Sequence, residues 1–448
     1  MELCPLLHFC FAFLVNGFVH IERDIFFTQK SLFGKDEVPG SNPGNSSKQK
    51  GVKPSVLRPF VILGFPSSLE KQMKTINTLI KWPGGKSREI PYIEHLIPNY
   101  KRYVEPFFGG GAMFFHLQPQ NAIINDISHN LISFYELVKR QDCAFEFYLR
   151  EYDHCFQSLL AFCDTNIETI LSLYFRLKHH FIFENDAKVE LSGLCSDLTE
   201  HALKSQSIIL SKDEFTQTLV SFSLDKMIRT RKNEEKLSYN DEDLKENLIT
   251  GFASGFYMYF RSLYNRFARI SDSGLDLSLK IANFYFIREY CYGSMFRYNS
   301  KGDFNIPYGG MSYNRKDFKS KIDAIFNDHT KQLFCGTEIT CSDFADFIKA
   351  NDLREDDFMF LDPPYDTDFS DYEGRDFTKN DQKRLAEILY ETKAKFLLII
   401  KYTDYIYSLY EHSGFQILSF DKTYAYNVRS RNDRHAAHLI ITNLQITM

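Results

Sequence analysis

The sequence predicts an α/β protein, a parallel sheet built from two separated stretches of chain with a mainly helical segment inserted between them. Three observations predict it. Short apolar and aromatic runs alternate with helical patterns at both ends of the folded region. The most telling runs stop at Gly-rich or Pro-rich turns that carry a carboxylate. Between them, residues 131 to about 290 place apolar side chains at helical spacing, as in the run Ile167–Phe181.

Taken in order, a glycine-containing loop from Thr75 leads to a helix around Ile90–Leu96 and a strand at Tyr103–Glu105. A glycine turn, an amphipathic helix at Ala112–Leu117 and a second strand, Ala122–Asn125, follow and end on Asp126. The charged run Arg229–Glu246 reads as an exposed helix or loop. Phe304–Pro307 and Tyr308–Tyr313 flank glycines and predict a β-hairpin at about 297–315. The α/β pattern then resumes: a strand-like Glu338–Cys341, a strand at Phe358–Leu361, a helix at Asp381–Lys393, and strands at Phe396–Ile400 and His438–Thr442. The expected division is a catalytic domain at 73–130 and 325–448 and an inserted segment at 131–324. Residues 1–72, with linker composition around Val38-Pro39-Gly40-Ser41, form a disordered or dispensable extension.

The chain has 448 residues and a net charge of -5, so any nucleic-acid footprint has to be local. Nine cysteines without a CxxC pair point to a reducing compartment and offer no zinc-ligand spacing, so no metal is expected. The apolar stretch Met1–Val19 lacks the basic start of a signal peptide and is short for a membrane span. A cytoplasmic, monomeric protein with no membrane partner is expected.

Two constellations carry chemistry. Glu105-Pro106-Phe107-Phe108-Gly109-Gly110-Gly111 follows a strand, and glycines there let the backbone turn tightly beside a ligand. Asp126 lies 19 residues beyond Phe107, where a carboxylate accepts hydrogen bonds from ribose hydroxyls. The glycines are not GxGxxG, which argues against a dinucleotide and a dehydrogenase. The second constellation is Asp362-Pro363-Pro364-Tyr365 after the strand Phe358–Leu361. Its prolines stiffen the chain and lack N–H donors, leaving the Asp carboxylate and a carbonyl as acceptors for the two N–H groups of an exocyclic amine. Tyr365 offers a flat face on which an extruded base stacks.

In this order, Lys81-Trp82-Pro83-Gly84-Gly85-Lys86, the Phe107-x-Gly109-x-Gly111 turn, Asn125-Asp126 and Asp362-Pro363-Pro364-Tyr365 resemble the Dam-type (D12 class) adenine-N6 DNA methyltransferases. The stretch from Arg288 to Gly309 is similar to that family's DNA-reading hairpin. The resemblance implies a Rossmann-like sheet that binds S-adenosyl-L-methionine, an inserted target-recognition domain, and methyl transfer to N6 of a flipped adenine in double-stranded DNA. It implies cofactor binding by Trp82, Lys86 (near the methionine carboxylate), Phe107, Gly109, Gly111, Asp126 (ribose), Asp343 and Phe344 (adenine). Asp362, Pro363, Pro364 and Tyr365 would hold the target base. Arg297, Asn299, Lys301, Asn305, Tyr308, Arg315 and Lys316 are the candidate DNA contacts, with Arg429, Arg431 and Arg434 as further cations. A cognate restriction endonuclease is the expected cellular partner.

The chain departs from the family pattern twice. Residues 127–284 exceed the usual segment, and Gly310 stands where GATC-reading members often carry a basic residue, which Arg315 or Lys316 would replace. The residues alone leave three other readings open: N4 of cytosine as acceptor, a base in RNA, and a DNA-binding protein that keeps the fold without catalysis.

Overall fold

The computed structural model describes residues 76–203, 207–270, 274–295, 297–365, 377–423 and 435–446. The expectations for residues 1–72 and for Arg429, Arg431 and Arg434 lie outside them.

Seven strands form one mixed sheet in the order β3-β2-β1-β4-β5-β7-β6. They are β1 (Arg102–Glu105), β2 (Ala122–Asn125), β3 (Thr337–Thr340), β4 (Asp357–Leu361), β5 (Lys395–Lys401), β6 (Gln416–Thr423) and β7 (His435–Thr442). The first five are parallel, and β7 runs antiparallel between β5 and β6. The central strands are near-continuous apolar runs because both faces of a parallel sheet are covered. Alternate residues of β4, Phe358 and Phe360 against Met359 and Leu361, enter the cores on opposite faces. At the far end of the β1–β4 pair, Arg102 grips Asp357 through Nε (2.9 Å) and Nη2 (2.5 Å).

Between β2 and β3 the chain is helical: α3 (His129–Arg140), α4 (Cys143–Thr165), α5 (Ile167–Lys178), α6 (Glu184–Asp197), α7 (Lys212–Glu234), α8 (Asp241–Phe267), α9 (Leu277–Tyr290), α10 (Phe318–Ile325) and α11 (Asp328–Cys335). The short α1 (Ile90–Ile93) and α2 (Ala112–Leu117) precede them, and α12 (Phe344–Ala350), α13 (Lys379–Glu391) and α14 (Asp404–Tyr410) follow. Side-chain caps mark many starts, such as Ser128 on α3, Asp142 on α4 and the Thr378–Asp381 capping box of α13.

The helices share an aromatic core with one sheet face. Phe134 of α3 stacks on Tyr285 of α9 at 5.1 Å and 6°, and Tyr152, Phe156, Phe256 and Phe286 continue the cluster. The abundant Phe and Tyr are therefore mostly interior. The other sheet face is covered by α12, α13 and α14 through Phe344, Leu385, Leu389 and Ile406.

Two element expectations need correction. The strand expected at Glu338–Cys341 is Thr337–Thr340, a one-residue shift. β6, the edge strand of the sheet, was not expected at all, because its residues mix apolar and polar positions without the continuous apolar run of the central strands. The charged run Arg229–Glu246 spans the end of α7, a turn and the start of α8.

Candidate active site

Strand order reverses between β1 and β4, which opens a crevice beyond their C-terminal ends, the usual ligand site of an open α/β sheet. The two constellations read from the sequence are the turns leaving these strands. They line one cavity of about 470 Å³, together with the ends of β2 and β3 and the loop 82–86.

The turn after β1 is held in place by close approach. Gly109 and Gly111 have φ of +51° and +67°, and Cβ atoms there would lie 2.8 Å from Trp82 Cδ1 and 2.5 Å from Phe108 Cζ. The Gly109 N–H donates to Asp126 Oδ2 (2.8 Å), the Ser128 N–H donates to Asp126 Oδ1 (3.0 Å), and the Tyr135 hydroxyl donates to the Gly109 carbonyl (3.1 Å). Burial pushes the Asp126 carboxyl up from its ordinary range, against the opposing pull of these backbone donors. Glu105 is more extreme: it is buried beneath the cavity, accepts from Tyr103 (2.8 Å), and burial holds its carboxyl well above the ordinary range.

Asn125 links three strand ends. Its Nδ2 donates to the carbonyls of Pro106 (3.1 Å) and Ser342 (3.0 Å), while its Oδ1 accepts from Ser342 N–H (3.0 Å) and Thr340 Oγ1 (3.0 Å). Asp343 caps α12 by accepting from the Ala345 N–H (2.9 Å), and Arg384 of α13 donates to it at 2.7 Å. Phe107, Phe344 and Phe377 meet as a trio with centroids 5.2–5.7 Å apart. The Arg384 guanidinium lies 5.0 Å from the Phe344 ring centre.

Asp362 leaves the end of β4 and forms an ion pair with Lys86, which is almost wholly buried and also donates to the Gly84 carbonyl (3.1 Å). The Lys86 ammonium therefore sits at the Asp362 carboxylate, and it lies 5.1 Å from the Tyr365 ring centre. Gln382 donates to the Pro364 carbonyl (2.9 Å), and the Tyr365 hydroxyl lies 3.2 Å from His438 Nε2. Trp82 packs under Arg288, whose guanidinium is 4.5 Å from the indole centre and whose Nη2 donates to the Lys81 carbonyl (2.6 Å).

The structure thus brings Trp82, Lys86, Phe107, Gly109, Gly111, Asp126, Asp343, Phe344, Asp362, Pro363, Pro364 and Tyr365 to one cavity. Sequence reasoning gave no role to Glu105 and Asn125, although both stand inside the motifs it singled out. Phe377, Gln382, Arg384 and His438 stand in no motif, and no local pattern marks them.

The hairpin expected at 297–315 takes another form. Its arms are residues 290–295 with 297–299, and 303–309, joined by the isolated bridges Cys291↔Tyr308 and Tyr298↔Phe304. The turn forms at 299–302 because Asn299 Oδ1 accepts from the N–H groups of Lys301 (2.9 Å) and Asp303 (3.0 Å), with Gly302 at φ +78°. Met311–Tyr313, expected as a strand, is a 3₁₀ turn. Arg297, Asn299 and Lys301 are exposed at the tip, with Asn305 half-buried behind them.

Three expected DNA contacts are otherwise engaged. Tyr308 is buried and donates to Asn314 Oδ1 (3.1 Å). Arg315 bridges Asp164 and Glu246, both at 3.0 Å. Lys316 points inward to buried Glu289 (2.6 Å); burial raises that carboxyl, but Lys316 and Lys321 outweigh it and hold it below its ordinary range. In this structure Lys316 is thus committed to Glu289 and is no free surface cation. Tyr292 and Met295, exposed on the arm leading to the tip, lie within the stretch similar to the family's hairpin but had no role assigned from the sequence.

The chain is 24% identical over 372 residues to the type II methyltransferase M.CviBI of Paramecium bursaria Chlorella virus NC1A, covering 82% of this chain and 98% of that protein. It is 27% identical to the type II methyltransferase M.MjaIII of Methanocaldococcus jannaschii, covering 76% of this chain and 90% of that protein. It is 22% identical to a DNA adenine methylase of Vibrio cholerae, covering 80% and 94%. Residues 82–166 and 221–426 match the family described as D12 class N6 adenine-specific DNA methyltransferase, and these segments hold both constellations of the cavity. The chain belongs to that family.

Proposed function

We propose that this chain transfers a methyl group from S-adenosylmethionine to N6 of an adenine flipped out of double-stranded DNA. The convergence of the Gly109–Gly111 turn, Asp126 and Asp362–Tyr365 on one cavity at the strand-order reversal carries the reading. The donor set suits the cofactor. The glycines of the 109–111 turn bring bare backbone to the cavity, the carboxylate of Asp126 suits ribose hydroxyls, and the aromatic trio with Asp343 suits a purine and its amine. When bound, S-adenosylmethionine supplies an electrophilic methyl group on a positively charged sulfur.

The protein's own part is positioning. The Asp362 carboxylate and the adjacent backbone carbonyl accept the two N–H groups of the adenine amine, which aims the nitrogen lone pair. Pro363 and Pro364 place no N–H donor beside these acceptors, and Gln382 fixes the segment from behind. Tyr365 supplies the stacking face. To receive the amine, Asp362 turns from Lys86, whose ammonium has the Gly84 carbonyl as a second partner. Most of the rate gain is orientation of nucleophile and donor. The amine proton leaves to solvent or to Asp362.

On the DNA side, Arg297 and Lys301 meet phosphate, the Asn299 amide NH2 faces base edges, and exposed Tyr292 and Met295 wedge beside the flipped base. Methylation-sensitive long-read sequencing of DNA from cells expressing the chain, or its Asp362→Ala variant, tests the whole reading. N6-methyladenine at a recurring sequence, lost in the variant, is the expected result. Unmodified DNA, or modified cytosine, overturns it.

A further inference from the structure

His438 stands on β7, two strands away from β4, with its side chain fully buried. It faces Phe420 in the register of β6 and β7 and Lys401 in that of β5 and β7. Its Nε2 lies 3.2 Å from the hydroxyl of Tyr365, within hydrogen-bond range, and the two rings meet at 5.5 Å and 68°. Behind it, Phe420 lies 5.6 Å away at 36°, and Phe420 in turn stacks on Tyr92 of α1 at 5.4 Å and 18°. A chain of rings thus runs from α1 through the sheet's antiparallel edge to Tyr365.

We propose that His438 is the positioning residue for Tyr365: it holds the far end of the phenol ring so that the stacking face is set before the base arrives. The inference rests on the reading of Asp362–Tyr365 as the target-base site. Its physical basis is leverage. Tyr365 sits on an irregular segment just after two prolines, and its ring has two side-chain torsions left to order. A base that stacks on an unfixed ring must also supply the cost of ordering it. A hydrogen bond at the hydroxyl, the atom farthest from the backbone, fixes the swing of the ring about χ1, and the His438 ring set at 68° against the phenol restrains its rotation about χ2. The partner comes from a strand paired on both sides, so its position is set by the sheet. Catalysis gains from such preset geometry.

The test uses the full chain, labelled S-adenosylmethionine and unmethylated duplex DNA in single-turnover transfer. His438→Leu keeps the volume and removes the hydrogen bond, and should slow transfer about five- to tenfold with cofactor affinity unchanged. His438→Gln restores a side-chain partner for the hydroxyl and should recover most of the rate. Tyr365→Phe deletes the same bond from its other end without touching the core, and should match His438→Leu. The double variant His438→Leu/Tyr365→Phe should lose nothing further, because both changes remove one interaction. Additive losses, or wild-type transfer by both single variants, overturn the proposal. A wild-type rate in Tyr365→Ala instead overturns the base-site reading itself. If His438→Leu fails to fold, Tyr365→Phe against His438→Gln still decides: equal, near-normal rates overturn the proposal.

Discussion

Replacing Gly111 by Ala puts a methyl group where the backbone is left-handed and where Phe108 already stands. Gly111 has φ +67°, and its Cβ would lie 2.5 Å from Phe108 Cζ and 2.9 Å from Cε2. The ring cannot retreat: Phe108 is 2% exposed, with Tyr135 at 4.7 Å and Phe114 at 5.4 Å between centroids. The left-handed conformation costs an alanine roughly 1–2 kcal/mol, and overpacking in a filled core costs roughly 1–3 kcal/mol. Gly111→Ala should therefore lose about 2–5 kcal/mol of stability. Gly302→Ala is the control, since Gly302 has φ +78° but nothing within 4 Å of its Cβ. It should lose only about 1–2 kcal/mol. The stiffening of the unfolded chain by alanine is common to both and cancels in the comparison. Urea unfolding of the two variants measures the difference. If Gly111→Ala is as stable as Gly302→Ala, the claim that Phe108 fixes the glycine turn is refuted.

Three further outcomes are expected. Asp126→Ala should weaken S-adenosylmethionine binding by about 1.5–3 kcal/mol in calorimetry, the range for charge-assisted hydrogen bonds, and an unchanged dissociation constant would mark Asp126 as purely structural. Glu105→Gln should gain stability over the wild type as pH rises from the ordinary carboxylate value of 4.5, because the unfolded chain ionises there while buried Glu105 stays protonated. Below that value the advantage should vanish, and a pH-independent difference in unfolding midpoints would refute the raised carboxyl. Lys301→Ala should weaken DNA binding and flatten its salt dependence. Lys316→Ala should instead cost roughly 3–5 kcal/mol of stability by stranding buried Glu289; a salt-dependent DNA defect with normal unfolding would place Lys316 at the DNA.

How much was legible follows from how local each feature is. Tyr103–Glu105, Ala122–Asn125 and Phe358–Leu361 are strands within a residue of expectation, because a strand buried on both faces is apolar along its own length. The glycine turn and the Asp362–Tyr365 segment announce themselves for the same reason: their backbone constraints lie in consecutive residues. What escaped depends on partners far along the chain. The inward turn of Lys316 requires Glu289, 27 positions away, and the clamp on Asp343 requires Arg384, 41 positions away. The misplaced hairpin arms show a local limit. Gly302 and Gly309 both suit a turn, and the Asn299 side chain, by capping two amides, decides between them.

The Arg102–Asp357 grip has a consequence for how the protein is made. These residues are 255 positions apart, yet they join β1 to β4, the two strands whose ends frame the cavity. At bacterial-scale elongation of about 5–20 residues per second, β1 leaves the ribosome on the order of tens of seconds before β4. During that interval β2 can cover one edge of β1, while the other edge presents unpaired backbone groups. The aromatic helices α3 to α9 are all made in that interval, so they can pack together before β4 emerges. Their shared core with the sheet then shields the waiting strands from pairing with other nascent chains. A substitution that loosens α4, α8 or α9 should accordingly lower the yield of soluble protein more than it lowers the activity of the molecules that finish folding.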